Sequence, residues 1–236
     1  MQRIEKTASG AYRYGTMPED GGIIAPIRSK LSQKARDRFF RQFMEWTSPN
    51  EDSLILDVGA TSDLTAEESN FFEKQYPYPD RIVACGIEPT THWNSVFPKI
   101  PYIRGDGLRL PFGNQMFDIV FCSAVIEHVG SRRNQAKLIR ECLRVGRTLF
   151  LTTPDRTCPV ELHTFIPILH WLPLPVFRWF LSKLPSHSYL ADERVLNPLT
   201  AGDLKRMVPT GSMMRLKKYT IFGIPTNLLI LANAKR

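Results

Sequence analysis

The sequence predicts an α/β fold with a mainly parallel β-sheet, and two observations support this prediction. Short apolar strands alternate with helical segments between residues 53 and 153, as they do in successive βαβ units. Near the C-terminus, two further strands over residues 216–222 and 227–232 flank a Gly-Ile-Pro turn, so we expect them to pair antiparallel at the sheet edge. With 236 residues, the chain is long enough for one domain with a sizeable core.

The first five strands are short runs of apolar or β-branched residues. They cover residues 53–58, 81–87, 100–104, 117–123 and 148–153. Residues 1–26 carry Gly, Pro and mixed charge without periodicity, and we predict an irregular arm there.

Periodicity and capping residues place the helices. An amphipathic helix over residues 32–46 has one apolar face, formed by Ala35, Phe39, Phe43 and Trp46. Thr65 and Glu68 have the spacing of a capping box, which predicts a helix to about residue 75. Ser131 can cap another helix that runs to about residue 145.

The net charge of +8 is unevenly distributed along the chain. Residues 1–50 carry +4, residues 51–150 carry −2 and residues 151–236 carry +6. Basic ends suit an anionic substrate, a membrane surface or nucleic acid, and they suit a merely solvated surface equally well.

Cysteine usage and the N-terminus bear on the compartment. The cysteines lack metal-ligand spacing, and we predict buried thiols in a reducing compartment and no metal site; they are Cys85, Cys122, Cys142 and Cys158. The N-terminus has no apolar signal core, so we expect a cytoplasmic protein, with peripheral membrane contact as an open alternative.

Acidic residues stand at the carboxyl ends of the first three strands: Asp57, Glu88 and Asp106. Ligands of open α/β sheets bind just outside this edge. A carboxylate at the position of Glu88 can accept from both ribose hydroxyls, Asp106 can accept from the exocyclic amine of adenine, and Asp57 suits an ammonium group. Gly59 lets the backbone approach the ligand. Together these residues predict a site for a nucleoside with a cationic end.

Longer motifs surround these acids, namely 55–59, 86–88, 105–112, 117–120 and 124–129. Over roughly residues 50–155, the chain resembles the class I S-adenosylmethionine-dependent methyltransferases of the small-molecule methyltransferase-domain type. The resemblance implies a Rossmann-like fold with a mainly parallel seven-stranded sheet, an antiparallel edge strand and helices on both faces. It also implies S-adenosyl-L-methionine as the cofactor, held by Asp57, Gly59, Thr61, Glu88, Asp106, Gly107 and Ser123.

The first loop departs from the pattern of this family. Where the family usually has Gly-x-Gly-x-Gly, this chain has Gly59, Thr61 and Asp63. The added acid and the lost glycines would weaken the binding of a pyrophosphate group at this loop. S-adenosylmethionine has no phosphate, so the departure argues against a dinucleotide, and therefore against an oxidoreductase.

We predict one domain over residues 1–236, divided into four parts. These are an arm and helix (1–50), a cofactor-binding core (51–155), an apolar lid or substrate insert (156–200) and a C-terminal helix with edge strands (201–236). The apolar run 165–175 is too short and too rich in proline to span a membrane. Two uses of residues 165–184 stay open: a lid over the cleft, or contact with a membrane interface.

Methyl transfer requires an aligned nucleophile and, for a hydroxyl group, removal of its proton. The candidate groups are His163, His128, Glu127 and Glu161, and we favour His163, because it opens the insert where substrate should meet cofactor. The chain also resembles a narrower group of sequences at residues 61–63, 160–164 and 170–173. We expect His170 to be structural.

The predicted function is therefore O- or N-methylation of a small-molecule or lipid-linked acceptor by an S-adenosylmethionine-dependent methyltransferase. The alternative is a non-catalytic module on the same fold that binds the cofactor or a membrane. Nucleic acid is disfavoured as a partner, because the sequence lacks the interleaved aromatic and basic residues of an RNA-binding module.

Overall fold

The structure, a computed structural model, describes residues 24–61 and 69–234. Within these ranges, the strands form one seven-stranded sheet. The strands are β1 Ile55–Val58, β2 Ile82–Gly86, β3 Tyr102–Arg104, β4 Phe117–Ser123, β5 Gly146–Pro154, β6 Met214–Ile221 and β7 Ile224–Asn233. The helices are α1 Ile24–Thr47, α2 Phe71–Gln75, α3 Trp93–Val96, α4 Arg132–Val145, α5 Leu174–Ser182 and α6 Ala201–Met207.

The strand order is β3-β2-β1-β4-β5-β7-β6. Strands β1 to β5 pair in parallel, and β7 pairs antiparallel with both β5 and β6. The predicted C-terminal hairpin is confirmed, with β6 as the outer strand and β7 as the antiparallel one. The chain order reverses between β1 and β4, and a ligand crevice is expected outside the carboxyl ends of the strands at such a point.

An aromatic core covers one face of the sheet. Phe43 of α1 is fully buried, and its ring meets those of Phe72, Phe121 and Phe150 edge-on at 5.1, 5.4 and 5.5 Å between centroids. Such pairs contribute about 0.5–1.5 kcal/mol each beyond the area that they bury. Helix α1 is thereby fixed against the sheet, as its apolar face predicted.

The opposite face is covered by α4 and α6, whose apolar side chains share one core with β1, β4 and β5. The predicted cap of α4 is confirmed, because the Ser131 side chain accepts a hydrogen bond from the backbone N–H of Asn134 at 3.3 Å. Helices therefore lie on both faces, as predicted. All four cysteines are buried and free.

Two local predictions need correction. Helix α2 begins at Phe71, because Asn70 has left-handed backbone angles (φ 50°, ψ 40°) that a right-handed helix does not continue through. The predicted cap at Thr65 lies outside the described residues. Helix α1 begins at Ile24 and takes up the last residues of the predicted arm, while residues 1–23 are outside the described part.

Residues 155–200 form an insert between β5 and α6 with a small core of its own. Its buried side chains are Phe177, Leu181, Leu190, Val195 and Leu196. His170 is buried there and bonds the carbonyl of Cys158 through Nε2 at 2.8 Å, which supports the structural role expected for it. Among the described residues, no helix is long and apolar enough to cross a membrane.

Candidate active site

A cavity of about 150 Å³ opens at the carboxyl ends of β1 and β4. Its lining includes Asp57, Gly59, Thr61 and Ser123, four of the residues predicted to hold the cofactor, and also Arg36 of α1. Pockets that enclose a whole drug-sized ligand measure about 300–1,000 Å³. This cavity therefore has the size for one end of a cofactor such as S-adenosylmethionine.

Gly59 is required by the geometry of the first loop. Its φ is +109°, and a Cβ added there would lie 2.2 Å from Cγ2 of Val125. Its N–H donates to the carbonyl of Cys85 at 2.8 Å, which ties the loop to the end of β2. Any other residue at position 59 would be strained at this φ, and its Cβ would displace Val125.

Two buried carboxyl groups share this cavity. Asp57 is 6% exposed and Glu73 of α2 is 5% exposed, and neither carboxylate oxygen of Glu73 has a hydrogen-bond partner among the described residues. Burial raises the pKa of Asp57 well above its ordinary value, and the charge of Glu73 raises it further. Burial also raises the pKa of Glu73. A cation entering the cavity would relieve this unfavourable pair.

Glu73 was not among the site residues predicted from the sequence. The available signal was an acid among the apolar residues Phe71, Phe72 and Tyr76, all of which the structure buries. An acid on the buried side of a helix is unusual unless something pairs with it.

Arg36 places a positive charge at the same cavity. Its guanidinium lies over the Phe71 ring, 5.8 Å from the centroid, and it contacts the Ser32 hydroxyl. The cavity thus combines buried acids with a guanidinium. This combination fits the zwitterionic amino-acid end of S-adenosylmethionine, in which an ammonium and a carboxylate share one carbon atom.

The predicted nucleoside-binding acids lie along the same edge of the sheet. Glu88 follows β2 and is half-buried, and its carbonyl accepts from the Tyr102 hydroxyl at 2.6 Å. Asp106 follows β3 and is exposed, and its Oδ1 accepts from the N–H of Leu108 at 2.8 Å. Because β1, β2 and β3 are neighbours, the sheet brings Asp57, Glu88 and Asp106 to successive tips of one edge.

Gly107 and Gly86 keep the loops close to the sheet. A Cβ on Gly107 would lie 2.9 Å from Cδ1 of Leu138, and one on Gly86 would lie 2.1 Å from the carbonyl oxygen of Ala60. Neither Glu88, Asp106 nor Gly107 lines the 150 Å³ cavity, so their predicted roles concern the adenosine end.

Beyond the cavity, Glu127, His128 and His163 form a cluster, here called the His–Glu cluster. One ligand-type atom from each residue lies within 4.8 Å of the others. The two imidazole rings are 5.1 Å apart between centroids and nearly perpendicular, at 87°. Glu127 and His128 belong to the 3₁₀ turn that follows β4, whereas His163 comes from the insert. The two histidines proposed separately from the sequence therefore meet at one place.

Hydrogen bonds fix each member of this cluster. His128 Nδ1 lies 2.6 Å from the Val195 carbonyl oxygen, and His163 Nδ1 lies 2.7 Å from Oε1 of Glu161. Both partners are acceptors, so each Nδ1 carries the proton, and Nε2 is the basic nitrogen of the neutral ring. Thr153 Oγ1 donates to Oε2 of Glu127 at 2.9 Å.

Burial and charge act differently on the members of the cluster. Burial lowers the pKa of His128 to about 3, and the charge of His163 contributes to this shift. Burial would also lower the pKa of His163, but attraction to Glu161 and the hydrogen bond to it raise it above its usual value. Burial raises the pKa of Glu127. For Glu161, burial is outweighed by the charge of His163 and by hydrogen bonds, which bring its pKa to about 2.

A short chain of contacts links the cavity to the His–Glu cluster. Ser123 lines the cavity, and its hydroxyl lies 2.8 Å from that of Thr152. The next residue, Thr153, donates to Glu127. Val125, which packs against Gly59, is two residues from Glu127. The cavity and the cluster are therefore neighbours at the carboxyl edge of β4 and β5.

Residues 56–148 match the family model described as a methyltransferase domain. This segment runs from β1 to the start of β5 and contains Asp57, Gly59, Glu88 and Asp106. No curated protein matches the sequence.

Solved structures share the fold at low sequence identity. An S-adenosylmethionine-dependent methyltransferase from Mesorhizobium loti superposes with a TM-score of 0.53 at 14% identity, covering 77% of this chain and 90% of its own. A putative sarcosine dimethylglycine methyltransferase from Galdieria sulphuraria gives 0.57 at 12%, covering 85% and 86%. A chain from the complex of the Haloferax volcanii Trm112 methyltransferase activator with a putative methyltransferase gives 0.56 at 11%, covering 94% and 100%.

The chain thus has a Rossmann-like fold, and its residues 56–148 match a methyltransferase domain. The solved structures that share this fold include an S-adenosylmethionine-dependent methyltransferase, which agrees with the cofactor expected from the sequence.

Proposed function

We propose that this protein methylates a lipid-linked acceptor, or a small molecule of similar apolar character, at an oxygen or nitrogen atom. One observation supports the proposal: the cavity with the buried acids is adjacent to the His–Glu cluster, and His163 of this cluster belongs to the insert, which has an apolar surface. The cavity suits the cofactor, the cluster suits the reacting end of the acceptor, and the surface suits its apolar remainder.

At the cofactor end, Asp57 and Glu73 bind the ammonium group and Arg36 binds the carboxylate. Gly59 and Thr61 supply the backbone of the loop against which this end lies. Glu88 and Asp106 bind the ribose and the adenine, and Gly107 and Ser123 shape the space between. The cofactor, when bound, supplies a methyl group activated by a sulfonium.

At the acceptor end, His163 and His128 orient the nucleophile. With S-adenosylmethionine bound, a lone pair of the acceptor would displace the sulfonium from the methyl carbon, and the electron pair of the broken carbon–sulfur bond would stay on sulfur in S-adenosylhomocysteine. The acceptor loses its proton to a group at this end of the site. His163, held by Glu161, is the residue in the best position to contact it.

The surface of the insert favours a lipid-linked acceptor. Large apolar side chains are exposed along it, namely Phe165, Ile168, Trp171, Leu172, Val176, Trp179, Phe180 and Leu184. Lys183 lies over the Trp179 ring at 5.9 Å, and residues 151–236 carry a net charge of +6. Exposed tryptophan with nearby lysine is typical of segments that lie in an anionic membrane interface.

Transfer of a labelled methyl group tests this function. The protein is incubated with S-adenosylmethionine carrying a tritiated methyl group and with separate lipid and aqueous extracts of cells. We expect label in an organic-soluble product, and none with the His163→Ala variant. Label confined to aqueous products would contradict the lipid-linked acceptor, and no label in either fraction would contradict the proposed reaction.

A further inference from the structure

We propose that Glu127, His128 and His163 bind a divalent transition-metal ion, such as Zn²⁺ or Mn²⁺, at the acceptor end of the site. The inference adds to the proposed function. It rests on that function only for the assignment of the cluster to the acceptor end of the site. Two imidazole nitrogens and one carboxylate oxygen form a donor set that suits first-row divalent metals.

The separations in the cluster suit one shared ion. The three ligand-type atoms lie within 4.8 Å of one another. Metal–ligand bonds of about 2.0–2.2 Å allow two ligands of one ion to be up to about 4.4 Å apart. The largest separation among the three atoms is therefore at most about 0.4 Å above the limit for two ligands of one ion.

The surrounding hydrogen bonds orient the two imidazole rings in the way that is common for histidine ligands of metal ions. A ligating histidine commonly donates its second ring N–H to a carboxylate or a carbonyl, which fixes the tautomer and raises the basicity of the ligating nitrogen. His163 meets a carboxylate, Glu161, and His128 meets a carbonyl, that of Val195. The backbone of Glu127 is held as well, because its carbonyl accepts from the N–H of Asn197 at 2.7 Å.

An orphaned oxygen gives independent support for a cation. Glu127 is only 1% exposed, and its Oε1 has no hydrogen-bond partner in the described part of the chain, although Oε2 accepts from Thr153. A buried carboxylate oxygen is unfavourable without a donor or an ion. A role of His163 as a simple base would not require this oxygen, whereas a shared metal ion would satisfy it.

Three protein ligands leave coordination positions open, as in catalytic rather than structural metal sites. A hydroxyl group that occupies such a position loses its proton more readily, because the cation stabilises the resulting anion. The oxygen then attacks the methyl carbon, the carbon–sulfur bond breaks, and the proton passes to solvent. The inference thus favours an oxygen nucleophile over nitrogen, and it makes His163 a ligand.

Calorimetric titration of metal-free protein tests the proposed metal site. Full-length protein without an affinity tag is treated with a chelator, dialysed, and titrated with Zn²⁺ and, separately, Mn²⁺. We expect one ion per chain, and Glu127→Gln and His163→Ala should each weaken binding by at least about tenfold. His92→Ala, which changes an exposed histidine outside the cluster, is the matched control and should bind like the wild type.

A second readout keeps the result interpretable if a variant folds poorly. The Co²⁺-loaded wild type should show visible absorption bands that Glu127→Gln alters. Wild-type protein that binds no stoichiometric metal, or cluster variants that bind as tightly as His92→Ala, would overturn the inference. S-adenosylhomocysteine binding, measured in parallel, separates the two proposals: metal binding can fail while cofactor binding persists, and the reverse.

Discussion

Glu73 lies beside Asp57 in the cavity at the end of β1, so that two almost fully buried carboxyl groups share one small space. Two such groups without a cation destabilise the folded chain. At the predicted ammonium site, a bound ammonium group would offset this cost. The pair links the stability of the free protein to the binding of its cofactor.

The Glu73→Gln variant should separate stability from binding. Removing one buried charge should raise the free energy of unfolding of the cofactor-free protein by about 1–2 kcal/mol. The same change should weaken S-adenosylmethionine binding by at least about tenfold, because the ammonium loses a charged partner. Urea denaturation and calorimetry measure the two effects. Glu51→Gln, at an exposed acid, should change neither, and tighter cofactor binding by Glu73→Gln would contradict the assignment.

The stability of the free protein should fall as the pH rises above the range of ordinary carboxyl groups. The folded-state pKa values of Asp57 and Glu73 are raised from 3.8 and 4.5, so the folded chain binds these protons more tightly than the unfolded chain does. Their contribution is therefore fully present below those values and is lost as the pH rises through the raised ones.

Urea denaturation at a series of pH values checks this dependence. Because other acids also titrate, the difference between the wild type and Glu73→Gln is the informative quantity. We expect a shallower loss of stability with rising pH in the variant. Parallel curves for the two proteins would show that the pair does not titrate as described.

Gly59→Ala should damage the first loop. The substitution forces an alanine into φ +109° and places its Cβ against Val125, so we expect a loss of about 2 kcal/mol or more in the free energy of unfolding, together with loss of cofactor binding. Gly113→Ala is the control, since a Cβ there meets no atom within 4 Å. Thermal denaturation with and without cofactor measures both effects, and a Gly59→Ala protein that binds normally would refute the close approach.

The exposed surface of the insert should bind anionic membranes. Trp179 is 56% exposed, and we expect the double variant Trp171→Ser, Trp179→Ser to reduce co-sedimentation with phosphatidylglycerol vesicles at least about fivefold. Phe222→Ser removes a side chain that is 94% exposed in the β6–β7 turn, and it should have no effect. Equal sedimentation of the two variants would mean that the insert is not the contact surface.

The sequence was sufficient to predict the sheet, because buried parallel strands are continuous apolar runs with few alternatives. Strand β4 was predicted residue by residue, and β1, β2 and β3 within two residues at each end. The placement of the acids along one edge was predicted in the same way, because the carboxyl ends of parallel strands lie at one edge of the sheet.

The details of the site were harder to predict, because they depend on contacts between distant segments. Glu73 becomes a cavity residue through the left-handed turn at Asn70, which no local pattern indicates. Glu127 and His163 are far apart in the chain and meet only because the insert folds back over the end of β4. The three residues of the cluster have no sequence spacing that is typical of metal ligands, and the sequence therefore predicted no metal site.

The most direct test of the account is calorimetric titration of S-adenosylmethionine into the wild type and the Glu88→Ala variant. We expect one binding site in the wild type and at least about tenfold weaker binding in the variant, because the ribose loses its charged acceptor. Absence of binding to the wild type at millimolar S-adenosylmethionine would contradict the cofactor assignment at this site, and an unchanged affinity in Glu88→Ala would contradict the orientation proposed for the nucleoside.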